Sequence, residues 1–69
     1  MIFKYKDNRI YVENENGDII VEAVFPDLNE NVVNINHTYV DPALRGQGIA
    51  SKLMKEVAEH LRKENKKAL

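Results

Sequence analysis

The sequence of 69 residues contains no cysteine and no tryptophan, and only three glycines and two prolines. Without cysteine, the chain has no disulfide framework, no thiolate metal site and no cysteine nucleophile. No apolar run exceeds three residues, which argues against a membrane-spanning segment and a secretory signal, so we expect a cytoplasmic protein without membrane contact. The composition, 43% hydrophobic and 30% charged, is typical of one small globular domain.

Charge is distributed unevenly along the chain. Residues 1–44 carry three basic and eight acidic side chains, whereas residues 45–69 carry seven basic and three acidic ones. The basic segment could meet an anion, or it could be a solvated helix face whose basic end suits the helix dipole. Its three glutamates interrupt the basic face, which argues against nucleic acid as a partner.

Alternating apolar and polar residues predict four strands, at Ile2–Lys6, Arg9–Glu13, Ile19–Phe25 and Val32–Val40. Polar breaks separate them, and the Asn16-Gly17 pair tolerates the positive φ that a hairpin turn requires. Because the connections are short, we expect an antiparallel meander.

An apolar residue at every fourth position then predicts an amphipathic helix over about residues 46–65. The apolar stripe consists of Ile49, Leu53, Val57 and Leu61, with Ala50, Met54 and Ala58 alongside. This helix has to cover one face of the sheet, because no other segment can. The predicted fold class is therefore α+β, a four-stranded antiparallel sheet with one amphipathic helix packed on it, in a single domain of residues 1–69.

Two glycines, Gly46 and Gly48, lie between the fourth strand and the helix. The first turn of a helix presents unpaired backbone N–H groups and the positive end of its dipole, and glycines there let the backbone wrap an anion. This pattern indicates a phosphate-bearing ligand across the strand end and the helix N-terminus. It is equally compatible with a tight turn and close packing of the helix on the sheet.

The stretch Arg45-Gly46-Gln47-Gly48-Ile49-Ala50 fits the Arg/Gln-x-x-Gly-x-Gly/Ala motif of the GCN5-related N-acetyltransferases. Its setting is more specific than the motif alone: a long strand, Val-Asp-Pro, the motif, and an amphipathic helix follow in that order. Residues 37–53 resemble the small single-domain, YjdJ-like members of that family. The hairpins before them match in order and length, so the resemblance covers essentially the whole chain.

The resemblance implies an N-acetyltransferase that uses acetyl-coenzyme A as cosubstrate and a small-molecule or protein amine as acceptor, without a metal. The implied pyrophosphate-binding amides are those of Gly46, Gln47, Gly48, Ile49, Ala50 and Ser51. Arg45 would lie at the start of this loop, and Ser51 could add its hydroxyl. Main-chain groups of Thr38, Tyr39 and Val40 would pair with the pantetheine arm as though it were another strand.

His37 matches a histidine of the same subgroup, and the resemblance implies a general base that takes a proton from the attacking amine. The alternation in the fourth strand predicts that His37 shares the covered face with Val33, Ile35 and Tyr39, which would suit a purely structural role. Asn34, Asn36 and Thr38 would then share the other face. The second histidine, His60, is expected on the helix surface.

Members of the family continue after this helix into a fifth strand, and this sequence ends at Leu69, where that strand would begin. We therefore expect a truncated acyl-CoA N-acyltransferase fold, incomplete at the C-terminus, with an exposed edge on the fourth strand that allows a homodimer. The alternative from another functional class is a non-catalytic module that binds coenzyme A or a partner and keeps only the fold.

Overall fold

The computed structural model describes residues 1–69 and contains six strands and one α-helix. The elements are β1 (Lys4–Tyr5), β2 (Arg9–Glu13), β3 (Ile19–Val24), β4 (Val32–Val33), β5 (His37–Val40), α1 (Ile49–Lys63) and β6 (Lys67–Ala68). A four-stranded sheet has the order β1-β2-β3-β5 with every neighbouring pair antiparallel, and β4 pairs with β6 in parallel. The α+β class and the antiparallel meander are confirmed.

The two hairpin turns form where the polar breaks predicted them. Asp7 and Asn8, between β1 and β2, have φ angles of 44° and 63°, and positive φ at two consecutive residues is typical of a tight hairpin. In the second turn the Asn14 side-chain oxygen accepts hydrogen bonds from the amides of Asn16 and Asp18, at 2.9 and 3.0 Å. Gly17 supplies the positive φ, 83°, that this turn requires.

The core lies between the sheet and α1 and consists of ten buried apolar residues. They are Ile10, Val12, Val21, Ala23, Phe25, Val33, Ile49, Leu53, Val57 and Leu61. The four helical members are the predicted stripe at every fourth position. No helix in the structure has the length and apolar character needed to cross a membrane.

The predicted second row of the stripe is wrong, because Ala50, Met54 and Ala58 are exposed. The sheet covers α1 on one side only, so the helix buries a narrow row of residues. The residues that are half-buried beside the buried row lie on its other side. They include Glu56 and His60, which lie against β1.

The fourth predicted strand is also not continuous. Val32 and Val33 pair with β6, whereas His37–Val40 pair with β3. Where the two parts meet, the Asn36 amide donates to the Val24 carbonyl at 3.2 Å, although His37 is the register partner of Val24. Two residues thus oppose one, which is the arrangement of a β-bulge.

The bulge reverses which residues face the helix. Val33 and Val40 both pack against the core although they are an odd number of residues apart. In β5 the helix-facing residues are Thr38 and Val40, whose partners Ala23 and Val21 are buried. The prediction that His37 and Tyr39 share a face with Val33 is therefore wrong, and both lie on the open face of the sheet.

Candidate functional site

The segment between β5 and α1 is a short structured connection. Asp41 ends the strand, and its side-chain oxygen accepts a hydrogen bond from the Ala43 amide at 2.8 Å. This bond caps one turn of 3₁₀-helix, Pro42–Leu44. Arg45 then returns to extended backbone, with φ −66° and ψ 148°. The Asp-Pro turn therefore directs the chain from the sheet edge toward the start of the helix.

Gly46 and Gly48 both adopt left-handed backbone, with φ angles of 84° and 71°. A Cβ atom added at either glycine would meet no atom within 4 Å. Close packing of helix on sheet therefore does not require these glycines, and that part of the packing interpretation is wrong. What requires glycine is the positive φ, and the missing side chains leave the loop backbone uncovered.

Six consecutive amides in this loop, from Gly46 to Ser51, donate no hydrogen bond within the protein. The first bond of the helix is donated by Lys52 to the Gly48 carbonyl, at 3.2 Å. No side chain caps the helix, and its first turn contains no acidic residue. The positive end of the helix dipole thus coincides with a row of open donors, an arrangement suited to an anion.

These amides border a concave surface of about 230 Å³. It is lined by Val40, Leu44, Arg45, Gly46, Gly48, Ile49, Ala50 and Ser51. Its volume is below the range usual for pockets that enclose a whole drug-sized ligand, and is of a size for a phosphate or diphosphate group. We call this surface the glycine-loop cavity.

The cavity brings together most of the residues that the sequence singled out, but not all of them. Gln47, Thr38 and Tyr39 do not line it. Leu44 does, and sequence reasoning missed it. The available signal was that Leu44 is the one large apolar residue between the Asp-Pro turn and the helix. Arg45 is exposed and makes no ion pair, so its charge is available to an anion at the cavity.

The outer edge of β5 is the second part of the candidate site. The Asp41 amide donates to the Ile20 carbonyl at 2.8 Å, and hydrogen-bonded pairs alternate along an antiparallel ladder. Tyr39 therefore directs its backbone groups toward β3, while Thr38 and Val40 direct theirs to the outer edge. Two of the three residues predicted to pair with an extended ligand present their backbone groups in the required direction.

His37 lies at the start of β5, and its side chain is 51% exposed. Its Nε2 atom is 3.2 Å from Oε1 of Glu22. The other oxygen of that carboxylate accepts a hydrogen bond from Nε of Arg9, at 2.5 Å. His37 is thus half-exposed on the open face and does not line the glycine-loop cavity.

His60 is less exposed than the surface position that the sequence predicted for it. Its side chain is 29% exposed and packs between two aromatic rings. The centroid of the Tyr5 ring is 5.6 Å away in a stacked arrangement, and that of Phe25 is 5.7 Å away and tilted. His60 therefore contributes to packing between α1 and the sheet.

Comparison with known proteins agrees with this architecture. A family model described as GCN5-related N-acetyltransferase matches residues 9–69, which include the glycine loop and every strand except β1. Among solved structures, the NMR solution structure of a GCN5-like N-acetyltransferase candidate from Staphylococcus aureus is similar, with a TM-score of 0.76 and 36% identity. The alignment covers 99% of this chain and 67% of that one. No curated protein sequence matches. On the family match and this structural likeness, the chain belongs to the GCN5-related N-acetyltransferase family.

Proposed function

We propose that this chain binds acetyl-coenzyme A through the glycine loop and transfers the acetyl group to an amine. The observation that carries the proposal is the row of six amides from Gly46 to Ser51, which have no partner in the protein. A diphosphate offers several acceptor oxygens and negative charge, and both are complemented by open N–H groups at a helix N-terminus.

The residues present fit such a group. Gly46 and Gly48 have no side chain over the loop, and a Cβ atom at either would project into open space. Arg45 adds an unpaired positive charge beside the cavity, and Ser51 adds a hydroxyl. These residues would hold the diphosphate, and the outward backbone groups of Thr38 and Val40 would hold an extended arm at the sheet edge.

When bound, acetyl-coenzyme A supplies an acetyl group as a thioester, which an amine attacks to give an amide and a free thiol. The task left to the protein is orientation of the two reactants and removal of the amine proton. His37 is the candidate base, because its half-exposed ring is reachable and its Nε2 atom lies 3.2 Å from a carboxylate oxygen of Glu22.

Isothermal titration calorimetry of the 69-residue chain with acetyl-coenzyme A tests the binding step. We expect saturable binding by the natural chain and a loss of at least about tenfold in affinity for Gly48→Val, since charge-assisted hydrogen bonds of about 1.5–3 kcal/mol each would be removed.

Gly17→Val is the matched control. Gly17 also has a positive φ, 83°, and no neighbour for an added Cβ within 4 Å, but it lies in the β2–β3 turn. The two variants therefore impose the same kind of backbone strain. Equal affinities of the two variants would remove the glycine loop from the proposal.

A titration with adenosine diphosphate and an assay of thiol release separate anion capture, cofactor binding and catalysis. Equal affinity for acetyl-coenzyme A and adenosine diphosphate would indicate anion capture alone. Binding of acetyl-coenzyme A without release of free thiol in the presence of amines would indicate the non-catalytic module. The cytoplasmic location, the amine acceptor and the homodimer through the edge of β5 stay predictions.

A further inference from the structure

A chain of polar contacts crosses the open face of the sheet beside His37. Glu22 lies on β3 with its side chain only 18% exposed, and each of its carboxylate oxygens has a different partner. Oε1 is 3.2 Å from Nε2 of His37 on β5, and Oε2 accepts the hydrogen bond from Nε of Arg9 on β2. One carboxylate therefore connects three neighbouring strands.

Arg9 is itself held in place. Its guanidinium carbon lies 4.4 Å from the centroid of the Tyr11 ring, which is the distance of a cation–π contact. Tyr11 is the register partner of Glu22 in the neighbouring strand. Rotation of the Glu22 carboxylate would break its bond to Arg9, so the oxygen that faces His37 has a fixed position.

We propose that Glu22 is a positioning residue that fixes the tautomer of His37. Nε2 of His37 lies 3.2 Å from a Glu22 carboxylate oxygen. An ionised carboxylate only accepts hydrogen bonds and repels a lone pair, so a neutral imidazole in this position carries its single proton on Nε2. The lone pair of the ring is then on Nδ1, the only atom at which His37 can accept a further proton.

This inference rests on the proposed function and adds a residue to it. When the amine loses a proton to His37, an N–H bond of the amine breaks and an Nδ1–H bond forms. The electron pair of the broken bond stays on the amine nitrogen. The resulting imidazolium carries protons on both nitrogens, and its positive charge faces Glu22. Glu22 touches neither reactant and acts only through His37.

The substitution Glu22→Gln tests the inference sharply because Arg9 constrains the new amide. The Arg9 Nε group is a donor, so the amide must direct its oxygen to Arg9 and its NH₂ group to His37. Nε2 of His37 would then have to accept, and the ring proton would move to Nδ1. The wrong tautomer lowers turnover even where the geometry is kept.

The experiment records long-range ¹H–¹⁵N spectra of the histidine rings in the full chain at a pH at which the rings are neutral. We expect Nε2–H for His37 in the natural chain and Nδ1–H in Glu22→Gln, with His60 unchanged in both spectra. We also expect Glu22→Gln to lower kcat by at least about tenfold without a change in affinity for acetyl-coenzyme A. The control is Glu13→Gln. This substitution neutralises a carboxylate on β2 that pairs with Lys4 of β1 and does not contact His37.

The outcomes separate this inference from the proposed function. The same His37 tautomer in the natural chain and in Glu22→Gln would overturn the positioning role, whether or not the chain is an enzyme. So would a changed tautomer with unchanged kcat. Absence of acetyl transfer by the natural chain would overturn the proposed function, while the spectra would still decide the tautomer.

Discussion

The Tyr5 hydroxyl donates a hydrogen bond to the Glu56 carboxylate and thereby joins β1 to α1, although the two residues are 51 positions apart. The Tyr5 ring also stacks on His60 of the same helix. The short first strand is thus attached to the helix by one polar and one aromatic contact. Loss of the phenol proton would break the hydrogen bond and place two negative charges side by side, so the contact raises the pKa of Tyr5 to about 12.

This contact predicts a specific loss of stability at alkaline pH. The folded-state pKa of Tyr5 lies above the value of about 10 for an unfolded tyrosine. The stabilisation of the fold by the Tyr5–Glu56 hydrogen bond is therefore complete below pH ~10 and is lost as the pH rises toward ~12. At neutral pH we expect Tyr5→Phe to lower the free energy of unfolding by about 1 kcal/mol. The difference in the free energy of unfolding between the natural chain and Tyr5→Phe should shrink between pH ~10 and ~12.

Urea unfolding at several pH values measures this difference, and tyrosinate absorbance gives the pKa directly. Tyr11→Phe is the control, since it removes a different tyrosine. A difference that stays constant up to pH ~12, or a Tyr5 that titrates near pH 10, would contradict the assignment.

Two adjacent helix positions test the corrected apolar stripe. Leu53 is 1% exposed and Met54 is 40% exposed. We expect Leu53→Ala to cost about 2–5 kcal/mol, because it opens a cavity in the core. A domain of this size has little more stability than that, so the variant should be largely unfolded at room temperature.

Met54→Ala should change the free energy of unfolding by no more than about 0.5 kcal/mol. Thermal unfolding followed by circular dichroism compares the two variants. Equal destabilisation would mean that the second row of the stripe is buried after all.

Substitution of each of the two histidines by alanine tests the assignment of His37 as the general base. We expect His37→Ala to lower kcat by about a hundredfold or more with unchanged affinity for acetyl-coenzyme A, because a general base typically contributes that factor. His60→Ala should leave kcat within about twofold and lower the melting temperature, since it removes packing against Tyr5 and Phe25.

Steady-state kinetics and thermal unfolding of both variants check this division. Parallel losses of turnover and binding in His37→Ala would show that this histidine is structural. A large loss of turnover in His60→Ala would contradict the assignment of the base to His37 on the open face of the sheet, because His60 lies on the face that α1 covers.

Strong periodicity explains why much of the fold could be predicted from the sequence. The helix stripe repeats every fourth residue from Ile49 to Leu61, and no other arrangement buries all four side chains against one sheet. The hairpin turns carry Asp7, Asn8 and Gly17 at the positions that have positive φ. The helix nevertheless begins at Ile49 rather than near residue 46, because Gly46 and Gly48 adopt left-handed backbone instead of helical backbone.

The bulge in the fourth predicted strand could not be predicted in the same way. Its residues, Asn36 and His37, fit a regular alternation as well as an interrupted one, and the interruption depends on pairing with β6 and β3. One inserted position reverses every later side chain. The place of the glycine loop between the last strand of the sheet and the helix could therefore be predicted from the motif, whereas the face that carries His37, and with it Glu22, required the structure. The assignment of the loop residues to a ligand stays a prediction.

Binding of acetyl-coenzyme A by the glycine loop is tested most directly by titrating the ¹⁵N-labelled chain with this ligand and following the backbone amide signals. We predict saturable shifts that are largest for the six amides from Gly46 to Ser51. The Gly17 amide, which already donates to the Asn14 carbonyl at 3.0 Å, should not move. Loop amide signals that stay unchanged at saturation in a folded chain, or largest shifts at other residues, would show that the glycine loop is not the binding site.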